Sequence, residues 1–170
     1  MENIDFWDLQ EEQEDTVQGQ FLTFLLEQET FGLPIADIDE IIGLQPITPL
    51  PEMSAAMRGV INLRGQIIPV LDARAYLQKP EIAYTDRSCV IILRQEEAFL
   101  GLIVDGVQEV LQLPDDCITD NPQHQDDPEA CIDRIGRLEE RVILLLDPRQ
   151  FFKRHSSIFE STECLGVHDA

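Results

Sequence analysis

The chain offers few groups that could perform covalent chemistry. His124, His155 and His168 fall in stretches that read as loops or tail, with no acid or thiol at motif spacing. No GxSxG, HExxH, CxxC or phosphate-cradling glycine loop occurs. Nucleophilic catalysis needs a nucleophile, a base and an orienting group brought together, so no catalytic residue and no cofactor is assigned. Cys89, Cys117, Cys131 and Cys164 show neither metal-ligand spacing nor a disulfide framework. Cys89 sits in the apolar run Ser88 to Leu93 and reads as a small core residue. The acidic stretch DDCITDNPQHQDDPE (115–129) has carboxylates for calcium but lacks the ligand order and closing glutamate of a calcium loop. It reads as a solvated loop, and no metal site is assigned. What remains is the chemistry of recognition. Arg64 is a cation in an apolar setting, and Glu40 is a carboxylate between Ile38 and Ile41-Ile42. Taken alone, the first is a solvated turn residue and the second part of an exposed polar face.

The element that must carry Arg64 is RGVINLRGQIIPVLDAR (58–74), which predicts a β-hairpin. Val60 and Ile61 begin one strand, and Asn62-Leu63-Arg64-Gly65 forms a type I corner with Asn first and Gly last. The return strand Gln66 to Leu71 is apolar at Ile67, Ile68, Val70 and Leu71, so it is expected to be covered on both faces. Pro69 removes a ladder donor and predicts an edge or a bulge. Upstream, strands are expected over Phe21 to Leu26 and from Phe31 to Ile35 onward. Downstream, Asp147-Pro148 predicts an N-cap and first turn of a C-terminal helix.

The chain then repeats itself. FGLPIADIDEII (31–42) aligns without gaps on LGLIVDGVQEVL (100–111), and VINLRGQIIPVLD (60–72) on IGRLEERVILLLD (135–147). Gly32 falls on Gly101, Glu40 on Glu109 and Ile41 on Val110, at an offset of 69 residues. Leu71 falls on Leu146 and Arg64 on Glu139, at an offset of 75. Two copies of one β-rich unit, each about 60 residues and small to stand alone, predict a shared core. Gly32 and Gly101 predict bulges or close backbone approaches.

A length of 170 residues allows one domain or two small interlocked lobes. The formal charge of −21, from 12 basic and 33 acidic side chains, excludes nucleic acid and anionic lipid as partners, since phosphate binding needs clustered cations. Residues 1–20 hold seven acids and no Lys or Arg, as do residues 115–133. Ile4, Phe6, Trp7 and Leu9 give the first segment an apolar patch, yet it reads as a mobile tail rather than a docking peptide. No apolar run approaches the ~20 residues of a membrane span, and no signal sequence opens the chain, so direct membrane insertion is excluded and a cytoplasmic location expected.

Gly59-Val60, Asn62-Leu63-Arg64-Gly65, Ile68-Pro69-Val70 and Asp72, then Gly101, Val104-Asp105-Gly106-Val107 and Val110-Leu111, occur in order at a spacing that resembles the CheW family. These are the adaptor proteins that couple bacterial chemoreceptors to the CheA histidine kinase. The resemblance runs from about Phe21 to Phe152. It implies a mainly β fold of two interlocked five-stranded SH3-like β-barrels, with short helices, a C-terminal helix and a third apolar layer at the junction. The expected boundaries are an acidic tail over 1–19 and a domain over 20–153. Within that domain a first barrel spans roughly 20–80 and a second roughly 86–147, followed by a helix over 148–154 and a loose tail over 155–170.

It further implies a non-catalytic scaffold with two partners, the regulatory domain of a CheA-type kinase and the cytoplasmic hairpin tip of a chemoreceptor, at membrane-associated receptor arrays. Partner-binding positions carried over are Ile38, Glu40, Gly59, Asn62, Arg64, Gly101 and Val110. Glu40 and Arg64 are expected to pair, and the pair is expected only in the first barrel, because Glu139 stands opposite Arg64. Arg134 and Arg137 depart from the small residues usual in the family. The acidity suggests a specialised pathway such as phototaxis or type IV pilus motility. The rival reading is a generic SH3-like peptide-binding module in another two-component pathway, which needs an exposed aromatic groove from a chain with 6% aromatics.

Overall fold

A computed structural model describes residues 18–51, 54–124 and 130–155. Of the tails read over 1–19 and 155–170 and the solvated loop read over 115–129, residues 1–17, 156–170 and 125–129 lie outside the described residues; the described part of the loop corrects that reading, because Ile118–Asp120 is a strand paired with Arg134 to Gly136.

Eleven strands, β1 to β11, form two sheets among the described residues. They are β1 (Gln20–Leu26), β2 (Glu29–Pro34), β3 (Ile38–Gly43), β4 (Met57–Leu63), β5 (Gln66–Asp72), β6 (Cys89–Gln95), β7 (Ala98–Val104), β8 (Val107–Gln112), β9 (Ile118–Asp120), β10 (Ile132–Leu138) and β11 (Arg141–Leu146). A short helix α1 (Ala73–Tyr76) follows β5, and α2 (Pro148–Arg154) follows β11. One sheet has the order β3-β6-β7-β5-β4 and the other β8-β1-β2-β11-β10-β9. The fold is mainly β, with two SH3-like barrel-type sheets.

The sheets do not follow the halves of the sequence, which corrects the expected split near residue 80. The hairpin β1–β2 leaves its own copy and joins β8 to β11, while β6–β7 joins β3 to β5. Each lobe is thus one copy's first hairpin completed by the other copy's remaining strands. The repeat survives the exchange. Parallel pairing sets Val70 beside Gly101 in one lobe and Leu145 beside Gly32 in the other. Antiparallel pairing sets Ile41 beside Ile91 and, equivalently, Val110 beside Leu22. Bulges also recur, between Met57 and Gly59 and between Ile132 and Arg134. The second lobe's short β9 pairs Thr119 with Ile135, where the first lobe keeps only the isolated bridge Thr48–Val60.

Burial explains the exchange. Ile61, Ile68, Val70, Val90, Ile92 and Ile103 fill the first lobe, and Phe21, Leu113, Ile143 and Leu145 the second. A third and larger cluster lies at their junction, built from Leu22, Phe24, Phe31, Leu33, Ile91, Leu93, Leu100 and Leu102 with Leu71 and Leu146. Strands β1, β6 and β7 therefore have apolar side chains on both faces, one toward a lobe's interior and one toward the junction, while β2 turns Phe31 and Leu33 to the junction and Gly32 to the interior. Burial of side chains as large as Phe24 and Leu93 contributes roughly 1.5–3 kcal/mol each, enough to hold two small lobes as one body.

Beyond β3 and β8 the two lobes are tied by polar groups. Arg74, on α1, reaches Asp105 at 2.8 Å and Glu27 at 3.8 Å, and donates to the Pro80 carbonyl at 2.7 Å. Glu27 belongs to the β1–β2 corner of the other sheet, so one guanidinium spans both lobes. His155, expected in a loose tail, is buried instead, its Nδ1 lying 3.0 Å from the Phe151 carbonyl at the end of α2.

Candidate functional site

The β4–β5 hairpin is closed by Arg64 and Gly65, with Leu63 paired to Gln66. Both corner residues have positive φ, +52° and +86°, so the corner is a two-residue turn of the mirror-image kind. The expected type I turn would splay strands that carry a right-handed twist. Asn62 stabilises the tight form by accepting the Gly65 N–H on Oδ1 at 2.9 Å.

Across the four two-residue hairpin corners, the positive-φ residue is Glu27, Glu96 and Glu139 in three and Arg64 in the fourth. A long side chain there costs about 1 kcal/mol that Gly or Asn would avoid. The first lobe therefore presents a cation where the other corners present an acid. Arg64 is 69% exposed and bonds through Nη2 to Oε1 of Glu40, whose side chain is only 12% exposed. Glu40 lies on β3, at one edge of its sheet, and the corner hangs from β4 and β5 at the other edge. The ion pair thus links the two edges of the first lobe's sheet.

Ile67 stands on β5 opposite Asn62 and is 42% exposed. This corrects the expectation that the whole return strand is covered; full burial begins at Ile68, and Pro69 lies one residue before parallel pairing starts at Val70. The hairpin tip thus carries one exposed apolar side chain, Ile67, and one oriented cation, Arg64 held by Glu40. Such a surface suits docking, because a held guanidinium fixes orientation while the apolar contact supplies area.

Other carried-over positions have packing roles. Ile38 is 2% exposed in the junction core and offers no side chain to a partner. Gly59 has φ +142°, and a Cβ there would sit 2.2 Å from the Thr48 carbonyl oxygen, so glycine permits the Thr48–Val60 bridge. Gly101 lies where a Cβ would meet methyls of Val70 and Val90 at 2.7 Å. Val110, on edge strand β8, is half-buried against the junction. Arg134 occupies Gly59's equivalent position in the second lobe without a positive φ; its guanidinium lies over the Phe21 ring at 5.7 Å.

The second lobe is not without a pair. Arg141 reaches Glu109 at 2.8 Å, which corrects the expectation that only the first barrel has one. The cation has moved from the corner to the start of β11, two residues past Glu139. Both partners are substantially exposed, 41% and 52%. A search for a cation at Arg64's aligned position alone misses it.

Elsewhere, burial pushes the Cys89 and Cys131 thiols up to about 11, which keeps them protonated and poorly nucleophilic. Among the described residues no helix is long and apolar enough to cross a membrane.

Two pseudo-symmetric SH3-like lobes sharing one core, with a charged corner displayed at one mouth, define a binding scaffold of the CheW class. The CheW-like domain family model matches residues 20–156. Chemotaxis protein CheW of Klebsiella aerogenes is 32% identical over 78% of this chain and 81% of its own. The probable chemotaxis protein CheW of Rhizobium etli is 31% identical over 81% and 90%. The crystal structure of scaffolding protein TtCheW from Thermoanaerobacter tengcongensis superimposes with a TM-score of 0.70 at 30% identity, covering 76% of this chain and 88% of that one. The chain belongs to the CheW-like family of chemotaxis adaptor proteins.

Proposed function

We propose that this chain is a non-catalytic cytoplasmic adaptor that couples a chemoreceptor to a CheA-type histidine kinase at membrane-associated receptor arrays. The observation that carries the reading is the Arg64 corner. It accepts an unfavourable backbone conformation to display a cation tethered to Glu40, beside the exposed Ile67, in a chain of the CheW-like family. The positive φ is shared with the corners at Glu27, Glu96 and Glu139; what sets this corner apart is the cation and its tie to Glu40. In this reading Glu40, Asn62, Arg64 and Ile67 meet one partner, and edge strand β8 with Val110 contributes to the second. The kinase's regulatory domain would meet a barrel end, and the receptor's helical hairpin tip would lie in a groove between lobes. The acidity of the chain supports service in a specialised pathway such as phototaxis or pilus motility rather than flagellar steering.

The test is co-purification with a CheA-type kinase and a receptor cytoplasmic fragment, comparing the wild-type chain with Arg64→Glu. The variant is expected to lose at least one partner while stability changes by only ~0–1 kcal/mol, because the pair is largely exposed on the Arg64 side. Normal capture of both partners by Arg64→Glu would reduce Arg64 to a turn residue and remove the proposed site.

A further inference from the structure

Neither copy of the repeat can close a lobe alone. In the first lobe β3 pairs only with β6, so without the second copy it has no hydrogen-bonded neighbour. Glu40 and Arg64 meet because β6 and β7 lie between the strands that carry them. The lobe's interior is divided in the same way, with Ile61, Ile68 and Val70 from the first copy against Val90, Ile92 and Ile103 from the second. The second lobe in turn takes β1 and β2 from the first copy. A free copy would expose apolar faces and open strand edges that only the other copy's hairpin covers.

One segment, residues 77–88, joins the copies, and it holds no strand and no helix. Residues 81–87 are all exposed. The side-chain ties of its first part run back to the first copy. Lys79 pairs with Glu29, Arg58 reaches Glu81 at 2.8 Å, and the Tyr84 hydroxyl donates to Asp72 at 2.7 Å. Beyond Tyr84 the segment turns on itself, the Ser88 N–H donating to the Thr85 carbonyl at 3.1 Å and the Thr85 N–H to Ser88 Oγ at 2.9 Å. This local turn sets the direction in which the second copy leaves the first. We propose that the segment is a hinge through which two chains exchange copies, so that a second molecule of this chain is a partner that completes both lobes. The core contacts are the same whether the copies come from one chain or two, and the exchanged dimer holds two complete bodies of one fold. The tether separates the two forms. It gives a millimolar effective concentration, so dilute chains close on themselves and concentrated chains exchange. The net charge of −21 opposes the approach of two chains, and salt relieves it. The inference stands independently of the adaptor reading, since it concerns how the lobes are completed and not what they bind.

The experiment mixes two full-length variants, each broken in one copy. Leu22→Asp with Phe24→Asp puts two charges into the junction core from the first copy, and Ile91→Asp with Leu93→Asp does so from the second; all four side chains are 0% exposed. Buried, unpaired charges exceed what a marginally stable fold tolerates, so each variant alone is expected to show no strand signal by circular dichroism. The two are unfolded together in urea and diluted into high salt. Exchange then joins the intact first copy of one chain to the intact second copy of the other. One of the two bodies folds, so about half the wild-type strand signal is expected, in a species the size of two chains. As a control, Leu22→Asp with Phe24→Asp is mixed with Ile61→Asp with Leu71→Asp. No intact first copy is then present, and no recovery is expected. A mixture whose signal is no greater than the mean of its two components would overturn the proposal. So would equal recovery in the control, or a variant that folds alone, because a lobe would then close without an intact contribution from each copy.

Discussion

Asp72 and Asp147 occupy equivalent places in the two lobes and live in opposite electrostatic settings. Each caps the short helix that follows its last strand. Asp72 accepts the N–H groups of Arg74 and Ala75 at 2.9 and 3.3 Å, the Tyr84 hydroxyl at 2.7 Å and the Arg58 Nε at 3.3 Å. Burial and this bond push the Tyr84 phenol up to about 12. Asp147 accepts the Arg149 N–H at 3.0 Å and the Arg149 guanidinium at 2.9 and 3.0 Å, and has the carboxyls of Asp37 and Asp133 nearby. Asp133 stands 75 residues on from Arg58, so where the first lobe offers its cap a cation the second offers an acid. One fold therefore carries a carboxylate hub in one lobe and, in the other, an acid cluster bridged by Arg149.

The comparison predicts unequal costs. Asp72→Ala removes a buried cap and leaves the part-exposed Tyr84 hydroxyl and Arg58 guanidinium without their shared acceptor, which is expected to cost about 2 kcal/mol. Asp147→Ala loses its cap but relieves two carboxyls, and about 1 kcal/mol or less is expected. Chemical denaturation of the two variants measures both. Equal losses would mean that the acid cluster of the second lobe has no energetic weight.

The cluster also has a pH signature. Burial first, and then the neighbouring Asp147, raise the carboxyls of Asp37 and Asp133 above the ordinary carboxylate range. Both groups therefore bind protons more readily folded than unfolded. Their contribution to stability is full below the unfolded value and is lost as pH rises through the raised folded values. Asp37→Asn and Asp133→Asn are expected to raise the melting temperature at pH 7, by an amount equivalent to about 0.5 kcal/mol or less, and to approach wild-type behaviour near pH 3. A variant no more stable at pH 7 than at pH 3, relative to wild type, would show that Arg149 already neutralises the cluster.

How far the molecule was legible from its sequence follows the same division between local and non-local information. The offsets of 69 and 75 residues carried over into matching registers, matching bulges and a three-layer core, because side-chain alternation is local and repeats with the sequence. The exchange of hairpins was hidden. Self-alignment shows which strands are equivalent, not which pair, and the parallel contacts β2–β11 and β5–β7 join distant segments. The Glu40–Arg64 contact was reached only through the family resemblance. The Arg141–Glu109 contact was missed because a cation two residues along a strand start reaches the same space as one at a corner. Ile67 gave no signal, since an exposed isoleucine at a strand end reads like a buried one.

The two corners provide the smallest effect and the sharpest separation of stability from function. Arg64 and Glu139 both hold positive φ, at +52° and +58°. Asparagine tolerates that region by bonding to its own backbone, so Glu139→Asn is expected to gain up to about 1 kcal/mol. Arg64→Asn gains the same backbone relief but loses an ion pair worth ~0–1 kcal/mol, so its net change is expected to lie near zero. Binding should diverge where stability does not. If the first corner is held strained for docking, Arg64→Asn weakens partner capture while Glu139→Asn leaves it unchanged. A gain in stability at both corners with unaltered capture would mean that neither cation nor acid was selected for contact. The Arg64–Glu40 bond would then be the first lobe's version of Arg141–Glu109, an exposed brace across a barrel mouth.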